Sequence, residues 1–367
     1  MSFKTNKTVL IGLSGGVDSS VAALLLKRQG YEVIGAYIDS FSDKATEEAM
    51  CKNSSREGDK EIARIMALFL GIRFIILDYK DEYNNKVIKP MINSYKKGLT
   101  PNPDTLCNKL IKFPFLWKEA RKLKADFIAT GHYAKVKKSK SSKGYELFAG
   151  KDKTKDQSYF LYSLSQNDLS HTLFPLGNLT KAEVRKIAKR NKFPNYNKRG
   201  TTGLCFVGKM DMFAYLKKNI PSKTGKVLSP EGKIIGTHPG ASYFTIGQRI
   251  GPRLSIQLNK KAGNQKLYVA EKKKGNILIV APENHPALKR RIVSIKKFHQ
   301  INPKDKIPSS NLKARIRHLG SLISGRLLKK RGNYFFAFKK PQKAIACGQA
   351  IVVYHKSKVV GGGEISS

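Results

Sequence analysis

Apolar positions in the first half of the chain come in short runs separated by segments with helical spacing. TVLIGL precedes SSVAALLLKRQ, and EVIGAYID is followed by DKEIARIMALFLG and then RFIILDY. FLWKEARKLK precedes ADFIATGHY. Short β-rich runs alternating with segments of 3.6-residue periodicity predict βα units, and repeated βα units predict an α/β fold with a parallel, doubly wound sheet. KVKKSKSSKG interrupts this rhythm as a solvated loop or hairpin tip. A strand at YELFAGKD and a mixed segment at QSYFLYSL follow. Residues 180–191, TKAEVRKIAKRN, begin at Thr180 with Glu183 three residues later and carry an apolar stripe, which predicts a capped helix.

After about residue 210 the texture changes. A helix at DMFAYLKKN gives way to short runs with turn signals: GKVLSPEGKIIGTHPG, SYFTIGQRIG and KLYVAEKKKGNILIVA. The remainder alternates apolar and polar residues between Gly, Asn and Pro turns. This predicts one or two small antiparallel β units, the last a small barrel. The expected division is a nucleotide-binding catalytic domain over 1–210, a central domain over 211–280 and a C-terminal β-barrel-like domain over 281–367.

Residues 9–20, VLIGLSGGVDSS, place a glycine turn between the first strand and the first helix. That geometry aims backbone N–H groups and a helix dipole at an anion. Gly15 and Gly16 let the backbone approach phosphate oxygens, Ser14, Ser19 and Ser20 offer hydroxyls, and Asp18 can orient a hydrated Mg²⁺. The loop holds no lysine, so it is not a Walker A motif.

Composition adds a partner. Lys plus Arg number 70 against 26 Asp plus Glu, a formal charge of +44 over 367 residues. Such an excess points to a polyanion, with nucleic acid the natural one, although a lysine-rich compositional bias accounts for part of it. No apolar stretch reaches the roughly 18 residues of a membrane helix, and MSFKTNKT lacks a signal-peptide core, so a cytoplasmic protein is expected. Cys51, Cys107, Cys205 and Cys347 form no C-x-x-C pair, so neither a zinc ribbon nor structural disulfides are expected.

Two of these cysteines have suggestive contexts. In TPNPDTLCNK (100–109), Pro101 and Pro103 stiffen a loop that presents Asn102, Asp104 and Cys107. A carboxylate three residues from a thiol can serve as general acid or base. In TGLCFVG (202–208), Cys205 lies between a glycine turn and an aromatic residue. Local context alone leaves two unrelated buried cysteines as an equal alternative.

With these residues in view, the loop resembles the PP-loop, S-G-G-x-D-S, of enzymes that split ATP between the α and β phosphates. Along nearly its whole length the chain resembles the tRNA-specific 2-thiouridylases. The matching stretches are GLSGGVDSS, TPNPDTLCNK, ATGHYAK (129–135), KDQSYFLYSLS (155–165), LFPLGNLTKAEVRKIA (173–188), TGLCFVG, the FTIGQR region within 232–251, and ACGQAIVVY with GGGEI near the end.

The resemblance implies adenylation of the C2 oxygen of a wobble uridine, then displacement of AMP by sulfur. It implies ATP contacts from Gly12, Leu13, Ser14, Gly15, Gly16, Val17, Asp18, Ser19, Ile38 and Gly131, with Mg²⁺ on the nucleotide. Cys205 takes the role of persulfide carrier and Cys107 that of the nucleophile that frees the sulfur, leaving a transient disulfide between them. Asn102, Pro103 and Asp104 would meet the target base, Asp104 as acid/base. His132, Lys155, Asp156, Gln157, Arg315, Ile316 and Gln349 fall at tRNA-contacting positions. Implied partners are tRNA and a persulfide donor or sulfur-relay protein fed by a cysteine desulfurase.

The chain departs from the family pattern in places. IDSF (Ile38 to Phe41) replaces a Met-containing segment, Arg199-Gly200-Thr201 lacks the usual acidic residue before Cys205, Cys347 stands for a proline, and Ile316 for a tyrosine. The competing readings are an amide-forming PP-loop synthetase, a non-catalytic RNA-binding protein, and sulfur delivery from a cysteine-held cluster. The first leaves two loop cysteines and the charge unexplained. The second would expect Asp18, Cys107 or Cys205 to be lost. Cys51 and Cys347 read as structural.

Overall fold

The structure, a computed structural model, describes residues 5–40, 56–198, 211–251, 254–259 and 265–366. Among the described residues, seven strands occupy the first half: β1 (Thr8–Gly12), β2 (Glu32–Asp39), β3 (Arg73–Asp78), β4 (Phe127–Ala129), β5 (Ala134–Lys138), β6 (Tyr145–Ala149) and β7 (Thr172–Leu173). Five of them form a parallel sheet in the order β3-β2-β1-β4-β7. Val9, Leu10 and Ile11 are all fully buried, because both faces are covered. Val9 and Ile11 pack with helices Val17–Arg28 and Arg56–Leu70, while Leu10 packs on the opposite face with Phe113 and Leu116. The strand order reverses between β1 and β4, and a doubly wound sheet opens its ligand crevice at such a point.

Two helical runs on this scaffold go beyond the sequence reading. Residues 80–96 coil continuously as Lys80–Tyr83, a π turn at Asn84–Ile88, and Lys89–Lys96. Tyr83, Val87, Met91 and Tyr95, four apart, are buried along one face. The second run joins Pro103–Cys107, a π turn at Asn108–Lys112, and Phe113–Lys122. The helix expected at FLWKEARKLK therefore begins ten residues before Phe113, within the segment expected to be a loop.

The middle of the chain has helix Met212–Asn219, capped by Asp211, then β8 (Gly225–Leu228), β9 (Ile234–His238), β10 (Gln257–Leu258), β11 (Leu267–Lys273) and β12 (Ile277–Pro282). These strands order as β10-β9-β8-β12-β11. The β12–β8 pair is parallel, so the sheet is mixed where an antiparallel one was expected.

The last six strands are β13 (Lys289–Gln300), β14 (Leu312–Arg315), β15 (Ile323–Lys330), β16 (Asn333–Lys343), β17 (Ala350–His355) and β18 (Lys358–Ser366). They run β13-β16-β15-β14-β17-β18, and pairing of β13 with β18 closes an antiparallel barrel around Val293, Leu312, Phe336, Phe338 and Val353. The start of β18 also pairs with β6, through Lys358 with Phe148 and Val359 with Leu147. The β5–β6 hairpin of the first half thereby extends the barrel sheet. Its tip is the Lys/Ser-rich segment expected at that place.

Candidate active site

The glycine turn is set by its own side chains. Leu13 N–H donates to Ala36 O at 2.8 Å as β1 ends. Ser19 Oγ accepts from Ser14 N–H at 3.2 Å and donates to Gly16 O at 3.0 Å, and Ser20 Oγ donates to the same carbonyl at 3.0 Å. Gly15 has φ +69°, and a Cβ there would lie 2.3 Å from Asp59 O, so only glycine fits. Helix Val17–Arg28 starts from Gly16 with no side-chain cap. Its first turn thus presents backbone donors and a positive dipole end to an incoming anion.

Residues distant in sequence complete the turn. Asp18 Oδ1 accepts from Lys181 Nζ at 2.6 Å and from Tyr133 Oη at 2.7 Å. Burial above all, reinforced by the Asp18 charge, drives the Tyr133 phenol far above its ordinary pKa, so it remains a donor. Gln157 clamps the Tyr133 backbone from both sides: its Oε1 accepts from Tyr133 N–H at 3.1 Å, and its own N–H donates to Tyr133 O at 3.0 Å. Gly131 closes the crevice between β4 and β1, since a Cβ there would sit 2.8 Å from Ser19 N. Asn195 Nδ2 donates to Gly15 O and Ser20 Oγ, both at 3.1 Å. Lys198 Nζ reaches Gly15 O at 3.3 Å and pairs with Asp59.

Sequence reasoning singled out neither Lys181 nor Tyr133 as functional, and Asn195 and Lys198 not at all. The available signal was the membership of Tyr133 in ATGHYAK and of Lys181 in LFPLGNLTKAEVRKIA. Ile38 is buried near the carboxyl end of β2, beside β1. The Asp18 side chain is 32% exposed, so its carboxylate has room for a hydrated cation. Among the described residues no group of three or more His, Cys, Asp or Glu could hold a metal ion.

A second cluster surrounds Cys107. Asn102 caps the helical run, with Thr105 N–H donating to its Oδ1 at 3.2 Å, and Pro103 occupies the first turn. Asp104 is half-buried and Cys107 fully buried, so this thiol lies on a helix rather than on the expected loop. The barrel holds the lead-in segment. Asn102 Nδ2 donates to Gln349 Oε1 at 3.4 Å, Gln349 Nε2 to Pro101 O at 3.1 Å, and Thr100 N–H to Cys347 O at 2.8 Å. The far end of the same run meets the glycine turn, with Leu116 Cδ1 3.5 Å from where a Cβ on Gly12 would be. One helical run therefore spans from the Asn102–Cys107 cluster to the nucleotide loop. Cys205 and Cys51 lie outside the described residues.

Most residues aligned with tRNA contacts are internal here. His132 is buried, hydrogen-bonded through Nδ1 to Thr130 Oγ1 at 2.7 Å and stacked on Phe113. Burial holds its pKa well below the ordinary value. Asp156, 1% exposed, accepts Gly150 and Ser158 N–H at 3.1 Å each and pairs with Arg315 Nη1 at 2.6 Å. Strand β14 ends at Arg315, whose guanidinium packs over Tyr354 toward the first half of the chain. Ile316 belongs to the barrel core, Gln157 is committed to Tyr133, and Gln349 to the 101–102 segment. Lys155 alone of the seven is exposed. Beside the ion pair, His318 packs on Phe160 at 4.2 Å, and burial lowers its pKa to about 4.

Known proteins resemble the whole chain. Residues 7–209 match the family model described as tRNA methyl transferase HUP domain, residues 214–282 the tRNA methyl transferase PRC-barrel domain, and residues 290–365 the aminomethyltransferase beta-barrel domain. The chain is similar to tRNA-specific 2-thiouridylase MnmA 2 of Aliarcobacter butzleri, 38% identical over 367 residues and 98% of each chain. It is 40% identical over 392 residues to tRNA-specific 2-thiouridylase MnmA of Karelsulcia muelleri, covering 98% of this chain and 99% of that one. It is 38% identical over 360 residues to the Nitrosomonas europaea protein of the same name, covering 97% of each. Among the described residues no helix is long and apolar enough to cross a membrane.

Proposed function

The chain belongs to the tRNA-specific 2-thiouridylase family, and from that premise we propose that ATP held at Gly12–Ser19 activates the C2 oxygen of a tRNA wobble uridine, which sulfur then replaces. The enzyme is a tRNA sulfurtransferase. In the first step the uridine C2 oxygen attacks the α-phosphorus and pyrophosphate leaves, converting a poor leaving group into AMP. Gly15, Gly16 and the uncapped helix end supply donors to the phosphate chain, and Gly131, having no Cβ, lets its backbone lie against Ser19. Mg²⁺, when bound with ATP, would be held by the phosphates and Asp18, offsetting the charge of the leaving pyrophosphate.

In the second step the terminal sulfur of a Cys205 persulfide attacks C2 and AMP departs. Cys107 thiolate then attacks Sγ of Cys205, breaking the bond to the transferred sulfur. The electron pair stays on that sulfur, which becomes the 2-thio group. Cys107 and Cys205 are left as a disulfide, which two external thiols reduce as they join in a disulfide of their own. A persulfide donor, from a relay fed by a cysteine desulfurase, reloads Cys205. Asp104 and Cys107 are three apart on one helix and share a face, which suits Asp104 to proton transfer beside the reacting thiol. Asn102 and Pro103 at the head of that helix would meet the base. Chemistry at C2 requires the uridine to leave its stack, and a loop nucleotide does so at low cost.

The observation that carries this reading is the full-length similarity, 38–40% identical, to proteins named for this activity. A lysine-free glycine loop at the β1/β4 switch point suits ATP cleavage better than the methyl transfer named in the domain descriptions. The test is nucleoside analysis of tRNA incubated with protein, ATP, Mg²⁺ and a sulfur source. Cys107→Ser and Cys205→Ser should each abolish 2-thiouridine while ATP and tRNA still bind, and Cys51→Ser and Cys347→Ser should stay active. An active Cys205→Ser enzyme would remove the persulfide role, and no 2-thiouridine from the unaltered protein would remove the whole proposal.

A further inference from the structure

We propose that Lys181 is the phosphate-binding cation of the nucleotide site, delivered from a helix some 160 residues beyond the loop that lacks a lysine of its own. The inference rests on the reading of ATP at residues 12–19. A triphosphate carries three to four negative charges, and the turn SGGVDSS answers them only with backbone N–H groups and hydroxyls. The Walker A loop, which binds the same chain of phosphates, places a lysine within its motif.

Lys181 is built to serve that need. It is the first residue of helix Lys181–Arg190, whose start is fixed by a reciprocal capping box between Thr180 and Glu183. Its own N–H donates to Asp152 Oδ2 at 2.9 Å, and Lys151 braces Glu183 at 2.9 Å. The backbone is thus pinned on two sides, while the flexible four-carbon stem carries the ammonium to Asp18 Oδ1, 2.6 Å away. The Lys181 side chain is only 16% exposed, so its charge is directed into the crevice rather than solvated outside it.

Tyr133 Oη donates to the same carboxylate oxygen, so Asp18 keeps a hydrogen bond when the ammonium turns away. In the nucleotide-free arrangement Asp18 and Lys181 neutralise each other. When a magnesium–nucleotide complex arrives, the carboxylate can face the cation and the ammonium can turn to the phosphate oxygens without either charge being left unpaired. This predicts that Lys181 contacts the β and γ phosphates and stabilises departing pyrophosphate, a role different from merely balancing Asp18.

The experiment compares ATP, AMP and inorganic pyrophosphate binding by calorimetry to the full chain carrying Lys181→Gln or Lys181→Arg, with tRNA binding as the check on folding. Lys181→Gln should weaken ATP and pyrophosphate by about tenfold to a hundredfold, the range of one charge-assisted contact, and leave AMP and tRNA within about threefold. Lys181→Arg should recover most of the ATP affinity. Equal losses for ATP and AMP, or no loss for ATP, would overturn the proposal in favour of a purely structural ion pair. Absence of ATP binding by the unaltered protein would instead overturn the nucleotide reading beneath it.

Discussion

Removing either member of the Asp156–Arg315 pair should destabilise the protein far more than a surface substitution does. The carboxylate and guanidinium are 2.6 Å apart, with side chains 1% and 8% exposed. Breaking a buried pair by deleting one partner costs about 3–5 kcal/mol, because the survivor is left charged and dry. The two deletions should not be equal. After Arg315→Ala, Asp156 still accepts two backbone N–H groups, from Gly150 and Ser158, which places it near the lower bound. After Asp156→Ala, the guanidinium has lost its anion and its Nε was already buried without a partner, which places it near the upper bound. At about 2.1 cal/mol/K per residue, a 367-residue chain melts with an entropy of roughly 0.8 kcal/mol/K, so a loss of about 3 kcal/mol should lower the melting temperature of Arg315→Ala by about 4 °C. Replacing both with apolar residues of similar volume, Asp156→Leu with Arg315→Met, should recover much of the loss. Calorimetric melting of the parent, Asp156→Leu, Arg315→Met and the variant carrying both forms a double-mutant cycle. The reasoning fails if each single variant melts within about 1 °C of the parent, or if the two losses simply add. The same cycle separates fold from recognition: tRNA affinity of Arg315→Ala, compared below its melting range, shows whether the side chain also serves RNA.

Gly131→Ala should block nucleotide binding with little effect on tRNA affinity, because its Cβ would lie 2.8 Å from Ser19 N; an ATP affinity within twofold of the parent would disprove the close approach. His318 is kept neutral by burial, its pKa lowered to about 4 from 6.5. Between those values the unfolded chain binds the extra proton, so stability present above pH 6.5 should be lost as pH falls towards 4. Melting curves over that interval should be shallower for His318→Asn, and an unchanged slope would point to other groups. Binding of tRNA should weaken steeply with salt, with log K falling by roughly 0.7–0.9 per log unit for each neutralised phosphate, whereas a flat filter-binding response would make the +44 charge a matter of composition alone.

The parts of this site that a sequence exposes are the local ones. The turn at Gly15 and Gly16, the capping box at Thr180 and Glu183, and the barrel-like tail all follow from neighbours within a few positions, where spacing and turn chemistry decide. What escaped is set by contacts over long separations. Tyr133 and Lys181 meet Asp18 from 115 and 163 residues away. Arg315 ends a strand, and alternation along a strand says which side a residue takes, not what packs there. Asp156, from the first half, covers that side. Cys107 looked like a loop residue because Pro101 and Pro103 suggest rigidity, yet proline in the first turn after an Asn cap starts a helix. The 80–96 run hid behind Pro90 and an inserted π turn, although Tyr83, Val87, Met91 and Tyr95 carry the helical spacing.

The hairpin shared between β6 and β18 bears on how the chain is made. A ribosome releases residues 134–149 long before residues 358–366, and at about 5–20 residues per second the interval is roughly 10–40 s. During that interval β6 offers an unpaired edge, and the barrel cannot close because β13 also waits for β18. Strand β18, made after every strand it pairs with, is therefore the one that joins the barrel to itself and to the first half of the chain. Premature termination within its nine residues would leave the barrel unclosed and the β5–β6 hairpin without its partner, a product suited to degradation or aggregation rather than to partial activity.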